Sequence, residues 1–202
     1  EATLSVFQDL FYGKGQVITR WWLTAPSQGS SAGQSSVPFN MERDDGTASA
    51  KVMAALGFSL AEDGFLDRIP LAPGGRYFSA DDAPEVLISS GLATVLKIAR
   101  EDVGTAAVTL NGRRLTVVGI LNDERFRGIK DINDLTLLPV KSYIRKASHD
   151  SAAGAAAESS EDVTEMAGVS HHEISQTIVL PALTCRAMGG RSEEHTSELQ
   201  SQ

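Results

Sequence analysis

Few residues of this 202-residue sequence are spaced for catalysis. Ser89-Ser90-Gly91 follows an apolar run and opens a helical pattern, which is the setting of a nucleophilic serine. No histidine or acid stands beside these serines in sequence, and serine is also a favoured helix N-cap. The Gly-x-Ser-x-Gly motif of serine hydrolases is missing, since residues 57–61 lack its second glycine. We therefore predict that these serines cap a helix.

Candidate metal ligands and acid pairs are equally sparse. His171-His172-Glu173 consists of adjacent residues, which point in different directions on a helix or strand and are poorly placed to share an ion. Asp44-Asp45 and Asp81-Asp82 are neighbouring carboxylates that solvated turns explain. Gly13-Lys14-Gly15 lacks the strand, the spacing and the Lys-Ser/Thr ending of a P-loop. We predict no catalytic, cofactor-binding or metal-binding residue.

Trp21-Trp22 and Cys185 remain as chemically distinctive residues. The tryptophan pair suits a membrane interface or an ordinary strand, and we favour the strand. Cys185 is the one cysteine of the sequence, so it has no intramolecular disulfide partner and no spacing for structural zinc. Its apolar helical context predicts a small buried residue without a redox role.

Composition excludes some classes of protein. The chain is 42% hydrophobic and 22% charged, which is typical of a globular protein with a real core. A formal net charge of −8 disfavours nucleic-acid binding, which needs a basic face. The longest apolar runs, such as "TIVLPAL" at 177–183, fall short of the about 20 residues that span a bilayer. Because the sequence begins at Glu1 and shows no signal peptide, we expect a fragment whose start has been lost.

The sequence predicts strands that alternate with short helices, and these elements position the candidate residues. The β-branched and aromatic residues 17–24 predict a strand, and so does the apolar run 85–89. Residues 47–57 predict a helix ending at a left-handed Gly57, and Ser59 and Glu62 have the spacing of a capping box. Two further helices are predicted from apolar residues at helical spacing, one with Val6, Phe7, Leu10 and Phe11 and one with Leu92, Val95, Leu96 and Ala99 on one face. A strand is predicted at 135–144, ending near Pro139. Residues 175–190 predict a strand, a proline, a short helix and a Gly-Gly stop.

The clearest local signal is Asn111-Gly112 between two alternating runs, which predicts a hairpin with a type I′ turn. That register pairs Leu110 with Arg113, Val108 with Leu115 and Ala106 with Val117, with Val108, Leu110, Leu115 and Val117 on one face. Gly119 predicts a bulge or a close backbone approach. Together the elements predict an α+β fold, a mixed or antiparallel sheet with short helices centred on this hairpin.

Four segments in one order resemble the periplasmic core domain of FtsX-like and MacB-like ABC transporter permeases. They are "GRYFSADDAPEVLISSGLATVL" (75–96), "DVGTAAVTLNGRRLTVVGILND" (102–123), "LLPVKSY" (137–143) and "IVLPALTCRAMGG" (178–190). The resemblance covers about half of the chain, whereas residues 1–60 match loosely and the acidic stretch 148–165 looks like an insertion. It implies one extracytoplasmic domain over residues 1–190. Composition predicts two flexible loops within it, the Ser/Gly stretch at about 25–36 and the Ala-, Ser- and acid-rich stretch at 148–165.

The resemblance also implies a non-catalytic role at the bacterial inner membrane, with this segment periplasmic. In such permeases the domain lies between the first two membrane helices, and a separate subunit or domain hydrolyses ATP. The implied partners are that ATP-binding subunit, a second permease copy, and an exported lipoprotein, peptide or amphipathic molecule; no cofactor is implied. A stand-alone secreted binding module and a hydrolase remain as alternatives. The stretch 191–201 resembles a translated sequencing adapter, so residues 191–202 are expected to be a non-native tail.

Overall fold

The computed structural model describes residues 20–25, 27–30, 33–62, 69–130, 136–141 and 170–192. The helix predicted near residues 6–11, the Gly13-Lys14-Gly15 stretch and the loop predicted at 148–165 lie outside the described residues. The strands are β1 (Trp21–Thr24), β2 (Ser27–Ser30), β3 (Gly33–Ser36), β4 (Phe39–Arg43), β5 (Ser49–Val52), β6 (Ala54–Phe58), β7 (Glu85–Ser89), β8 (Ala107–Leu110), β9 (Arg113–Leu121), β10 (Val140–Lys141), β11 (Ser170–His171), β12 (Thr177–Pro181) and β13 (Arg191–Ser192). The helices are α1 (Ser90–Val95), α2 (Asp123–Arg127) and α3 (Ala182–Ala187), with 3-10 turns η1 (Arg100–Asp102) and η2 (Ile174–Gln176).

Nine strands form one mixed sheet in the order β13-β1-β6-β12-β7-β9-β8-β4-β5. The pairs β6–β12 and β7–β9 are parallel, and the other neighbours in this sheet are antiparallel. Two small antiparallel pairs, β2–β3 and β10–β11, lie outside it. A mixed sheet with short helices confirms the predicted α+β class. None of the helices in the described part of the chain combines the length and apolar character needed to cross a bilayer.

The core lies on both faces of the sheet. One cluster includes Ile178 and Leu180 of β12, and the other includes the intervening Val179. Strands β6, β7 and β12 are buried along their whole length. This two-sided burial explains why these segments read as continuous apolar runs and not as alternating ones. Helices α1 and α3 pack on the first cluster, whereas Phe126 of α2 packs on the second.

The β8–β9 hairpin has the predicted register. Leu110 pairs with Arg113 and Val108 with Leu115, and the Val117 amide donates to the Ala106 carbonyl. Its turn residues have positive φ angles, 50° at Asn111 and 75° at Gly112, as a type I′ turn requires. The four predicted inward residues, Val108, Leu110, Leu115 and Val117, are all buried.

The prediction for Gly119 is also confirmed. The β7–β9 register shifts there, since Val86 pairs with Val117 and Leu87 with Gly119. A Cβ on Gly119 would lie 2.9 Å from Leu87 Cδ2, so a side chain has no room. The same Cβ would lie 3.3 Å from the Arg76 carbonyl oxygen, so the backbone at Arg76 approaches β9 closely at this bulge.

The helix predicted at 47–57 is wrong, because these residues form β5 and most of β6. Met53 separates the two strands and donates its amide to the Gln176 carbonyl. Pairing of β6 with β1 and β12 buries the segment on both sides and overrides its local preference for a helix. Gly57 lies in the strand and is not a helix cap. A Cβ there would lie 2.6 Å from Cys185 Cβ.

Three boundary predictions also need correction. Helix α1 ends at Val95, which is 54% exposed, so the predicted buried face reduces to Leu92 and Leu96. The strand predicted at 135–144 is limited, within the described residues, to Val140–Lys141, after Pro139 and not before it. The stretch 25–36, predicted as a Ser/Gly loop, contains the paired strands β2 and β3.

The remaining elements agree with the sequence. Within 17–24 the described strand is β1, and 85–89 forms β7. Strand β12 runs into Pro181, α3 follows, and Gly189 with φ 95° ends it.

The capping box predicted over Ser59 and Glu62 does not form. The Ser59 hydroxyl accepts a bond from the Ala61 amide, and the Glu62 carboxylate turns to Arg20.

Candidate functional site

Ser89 and Ser90 act at the start of α1. Ser89 Oγ accepts a 3.1 Å hydrogen bond from the Leu92 amide, which confirms the predicted N-cap. Ser90 Oγ donates to Asp123 Oδ2 at 2.7 Å, and the Ser90 amide donates to Oδ1. Asp123 opens α2 after the parallel strand β9, so its carboxylate ties the starts of two helices together. Sequence reasoning missed this acid because it stands 33 residues away from Ser90.

The two histidines contact the segment that precedes β10. His171 Nδ1 lies 2.7 Å from the Leu138 carbonyl oxygen, and the His172 amide donates to the Pro139 carbonyl. Burial lowers the pKa of His172, and the positive charges of Lys141 and His171 lower it further. Across the described ranges, no three His, Cys, Asp or Glu side chains are grouped so as to hold a metal ion.

A charged cleft of about 390 Å³ lies beside the hairpin and contains the Asp44-Asp45 pair. Asp44 Oδ2 accepts a 2.7 Å bond from Arg114 Nε, and Asp45 Oδ2 lies 2.8 Å from Arg43 Nε. Hydrogen bonds from Thr47 and the charge of Arg43 lower the pKa of Asp45. These carboxylates are therefore engaged in ion pairs and a turn, as the prediction of solvated turns requires, and are not arranged as an acid-base pair.

The chain enters and leaves the described structure at one end of the sheet. Trp21, the first residue of β1, pairs with Gly57 of β6 on one side and with Ser192 of β13 on the other. Strand β12 runs parallel to β6, with Pro181 beside Phe58. We call this place, marked by Trp21, Phe58, Pro181 and Ser192, the exit end.

A buried ion pair holds the chain where it enters β1. Arg20 Nε and Nη2 donate to the two Glu62 carboxylate oxygens at 2.9 and 3.1 Å. The Glu62 side chain is fully buried and that of Arg20 is 18% exposed. The Arg20 guanidinium also lies 5.8 Å from the centre of the Phe58 ring. No sequence signal indicated this pair, because its members are 42 residues apart.

The tryptophans belong to the strand, as predicted. Trp21 packs against the first core cluster and Trp22 against the second. The Arg186 guanidinium lies 5.2 Å from the Trp21 ring centre, which is within the range of a cation–π contact. The buried Trp22 Nε1 has no hydrogen-bond partner.

Cys185 is fully buried beneath β1, which confirms the predicted small core residue. Its thiol lies 3.8 Å from the Trp21 carbonyl oxygen. Burial raises the pKa of this thiol to about 12, so the reactive thiolate is scarce at neutral pH.

Asp81 links the two strand ends that flank the chain exit. Its carboxylate accepts a 2.8 Å bond from the Leu60 amide, and its backbone carbonyl accepts one of 2.9 Å from the Leu183 amide. The Leu60 and Leu183 side chains are 42% and 47% exposed. The exit end thus has ion-pair, cation–π and hydrogen-bond contacts around two adjacent strands.

No protein-family model and no curated protein match this chain. Over 58% of its length it is similar to the extracellular domain of the noncanonic ABC-type transporter YknZ from Gram-positive bacteria, with 14% identity, 56% of that chain covered and a TM-score of 0.39. It is likewise similar over 58% of its length to the periplasmic region of MacB from Actinobacillus actinomycetemcomitans, with 17% identity, 49% of that chain covered and a TM-score of 0.39. The chain spans about half the length of these two structures.

Proposed function

We propose that this chain is the extracytoplasmic domain of a bacterial ABC transporter permease of the FtsX-like and MacB-like kind, without catalysis of its own. The closeness of Trp21 to the end of α3 carries this proposal, because the Cys185 thiol lies 3.8 Å from the Trp21 carbonyl oxygen and the Gly190 amide donates to the Cys185 carbonyl. A domain inserted between two successive membrane helices must return the chain to the place where it entered. Chain ends of domains are often close. In this domain both connections leave beside Trp21, so they act on the same end of the sheet.

The segments that resemble the family support the same function. Residues 85–89 form β7, residues 107–121 contain the β8–β9 hairpin, and residues 177–181 form β12. These strands are consecutive in the sheet, in the order β12-β7-β9-β8. The motifs therefore describe a continuous framework and not scattered surface positions.

In this function the domain is moved as a unit. ATP hydrolysis on a separate subunit displaces the membrane helices, and the two connections carry that displacement to β1 and to the end of α3. Arg20 and Glu62 hold the connection to β1 against the buried end of β6. Because the central strands are packed on both faces, the sheet resists bending and turns as a body. The partners are a second permease copy and an exported lipoprotein, peptide or amphipathic molecule.

The intact gene tests the proposal first. It is expected to encode an apolar segment of about 20 residues before Glu1 and others after Gly190. A stop codon directly after this domain and no such segments would contradict it and favour a stand-alone secreted module.

Cysteine accessibility in cells tests the side of the membrane. Arg113→Cys adds a thiol at the exposed hairpin, whereas Cys185 is buried and serves as the silent control. In intact cells producing the full-length protein, a membrane-impermeant maleimide is expected to label the Arg113→Cys variant. Labelling that appears only after lysis would place the domain in the cytoplasm and refute the proposal.

A further inference from the structure

Two exposed leucines stand together at the exit end. Leu60 and Leu183 lie two residues beyond Phe58 and Pro181, which are paired at the ends of the parallel strands β6 and β12. Both backbone amides donate to the same residue, Asp81, so the two side chains arise from neighbouring positions. They are half of the large hydrophobic residues that are exposed in the described chain, the others being Val37 and Val95.

Amphipathic side chains also lie at the exit end. The Arg186 guanidinium lies over the Trp21 ring, and Trp22 is half-buried in the next position of β1. Arginine and tryptophan combine an apolar body with a polar tip, the property that places them at the interfacial region of membranes. Exposed leucines beside such residues are suited to the boundary between headgroups and acyl chains.

The direction of the chain identifies what covers this surface. Arg20 and Gly190, from which the two connections continue, both lie close to Trp21 at the exit end, since Arg20 precedes Trp21 and the Gly190 amide donates to Cys185, whose thiol lies 3.8 Å from the Trp21 carbonyl oxygen. If these connections lead to membrane helices, as the proposed function requires, the exit end faces the bilayer. We propose that the exit end rests on the lipid bilayer surface, with Leu60 and Leu183 as its apolar contacts.

The contact of Leu60 and Leu183 with lipid is weak by itself and depends on the chain connections to the membrane. Two half-exposed leucines bury little area, but chain connections on both sides hold the surface at high local concentration beside the membrane. The formal net charge of −8 opposes attraction to anionic lipid, so the contact is apolar and forms on zwitterionic lipid.

A tethered dye experiment tests the contact. Leu60→Cys, Leu183→Cys and Val95→Cys variants each carry the same polarity-sensitive dye, and the buried Cys185 stays unlabelled. Val95 is a matched control, because it is 54% exposed and belongs to the helix that starts at the opposite end of the sheet, after Ser89. Each full chain is tethered through an N-terminal hexahistidine tag to phosphatidylcholine vesicles containing a nickel-chelating lipid.

The expected result is a blue shift of dye emission at positions 60 and 183 on the vesicles, reversed when imidazole releases the chain, with no shift at 95. An equal shift at 95, or no shift at both leucine positions, would overturn the contact. A shift that requires added phosphatidylglycerol would also overturn it, since that binding would be electrostatic. Circular dichroism checks that each labelled chain is folded.

If the intact gene encodes membrane segments and the dyes do not respond, only this contact is rejected. If the gene lacks those segments, the proposed function itself fails.

Discussion

At the scale of single residues, the charged side chains that stabilise this fold most are the buried ones. Arg20 and Glu62 form a bidentate pair in which the carboxylate is completely buried. Removal of one member of a buried pair leaves the other charge without compensation, which is more damaging than removal of both. The pair therefore fixes the entry of the chain to β1 as long as both members are present.

Arg20→Met is expected to lower the free energy of unfolding by about 3 kcal/mol, because Glu62 stays buried without its partner. Urea denaturation followed by tryptophan fluorescence measures the loss, since both tryptophans lie in β1. Arg100→Met is the matched control, because Arg100 is exposed on η1, and we expect a change of no more than about 0.5 kcal/mol there. Equal losses for the two variants would show that the pair has no special role.

Glu85 is a second buried carboxylate, and its charge is satisfied locally. Its oxygens accept bonds from the Arg76 guanidinium, the Ser79 amide and the Ser79 hydroxyl. Burial alone would raise the pKa of Glu85, but these hydrogen bonds and the Arg76 charge outweigh burial and hold it below the usual 4.5. A carboxylate whose pKa is lower in the folded chain contributes stability above its unfolded pKa and loses it as pH falls through the folded one.

Glu85→Gln is therefore expected to cost about 1 kcal/mol near neutral pH, a modest value because Arg76 is half exposed. The difference from the unaltered chain should narrow as pH falls below 4.5, the usual pKa of this group. Urea unfolding of both chains over a series of pH values measures this convergence. A difference that stays constant down to acidic pH would contradict the role given to the ionised carboxylate.

At the scale of elements, close backbone approach decides where strands and helices pack. Gly57 of β6 lies under both β1 and α3, and a Cβ there would lie 2.6 Å from Cys185 Cβ and 2.8 Å from Trp21 Cβ. Real Cβ atoms do not approach so closely, and the two atoms in the way are themselves Cβ atoms fixed to backbone. The absence of a side chain at this one position thus allows α3 to cover the β1–β6 pair.

Gly57→Ala is expected to destabilise the fold by about 3 kcal/mol through overpacking. Gly128→Ala, at the end of α2, is the control, because its backbone is right-handed and the nearest atom to its added Cβ is 3.3 Å away. Thermal unfolding by calorimetry compares the two substitutions. Similar melting temperatures would mean that α3 shifts freely and that the packing is looser than described.

At the scale of the whole molecule, the outer edge of β1 is covered by a short strand. Strand β13 pairs with Trp21 and Trp22, and this pairing uses backbone groups only. The turn at Gly189 directs Arg191 and Ser192, the first residues of the adapter-like stretch, along β1. An uncovered strand edge is a template for pairing with another chain.

A chain ending at Gly190 is therefore expected to self-associate more than one ending at Ser192, because it lacks β13 and leaves the β1 edge open. Sedimentation equilibrium over a range of concentrations compares the two truncated chains. If both remain monomeric to the same concentration, β13 does not protect the edge.

The sequence by itself determined the features that depend on near neighbours. Asn111-Gly112 set the hairpin register, since both residues tolerate the positive φ of its turn. The apolar runs that became β7 and β12 were identified from their residues, because turn formers and a proline bound them. Ser89 was identified as a helix cap from its position alone.

Tertiary structure alone decided the features that depend on distant residues. Residues 49–58 have helical spacing but form strands, because pairing with β1, β4 and β12 buries them more completely than a lone helix would. The Arg20–Glu62 pair and the adjacency of Trp21 and Ser192 join positions 42 and 171 residues apart along the chain, and local patterns contain no information on such contacts. The exit end, to which function is assigned, exists only because separate strands end side by side. It therefore depends on contacts between residues that are distant in sequence.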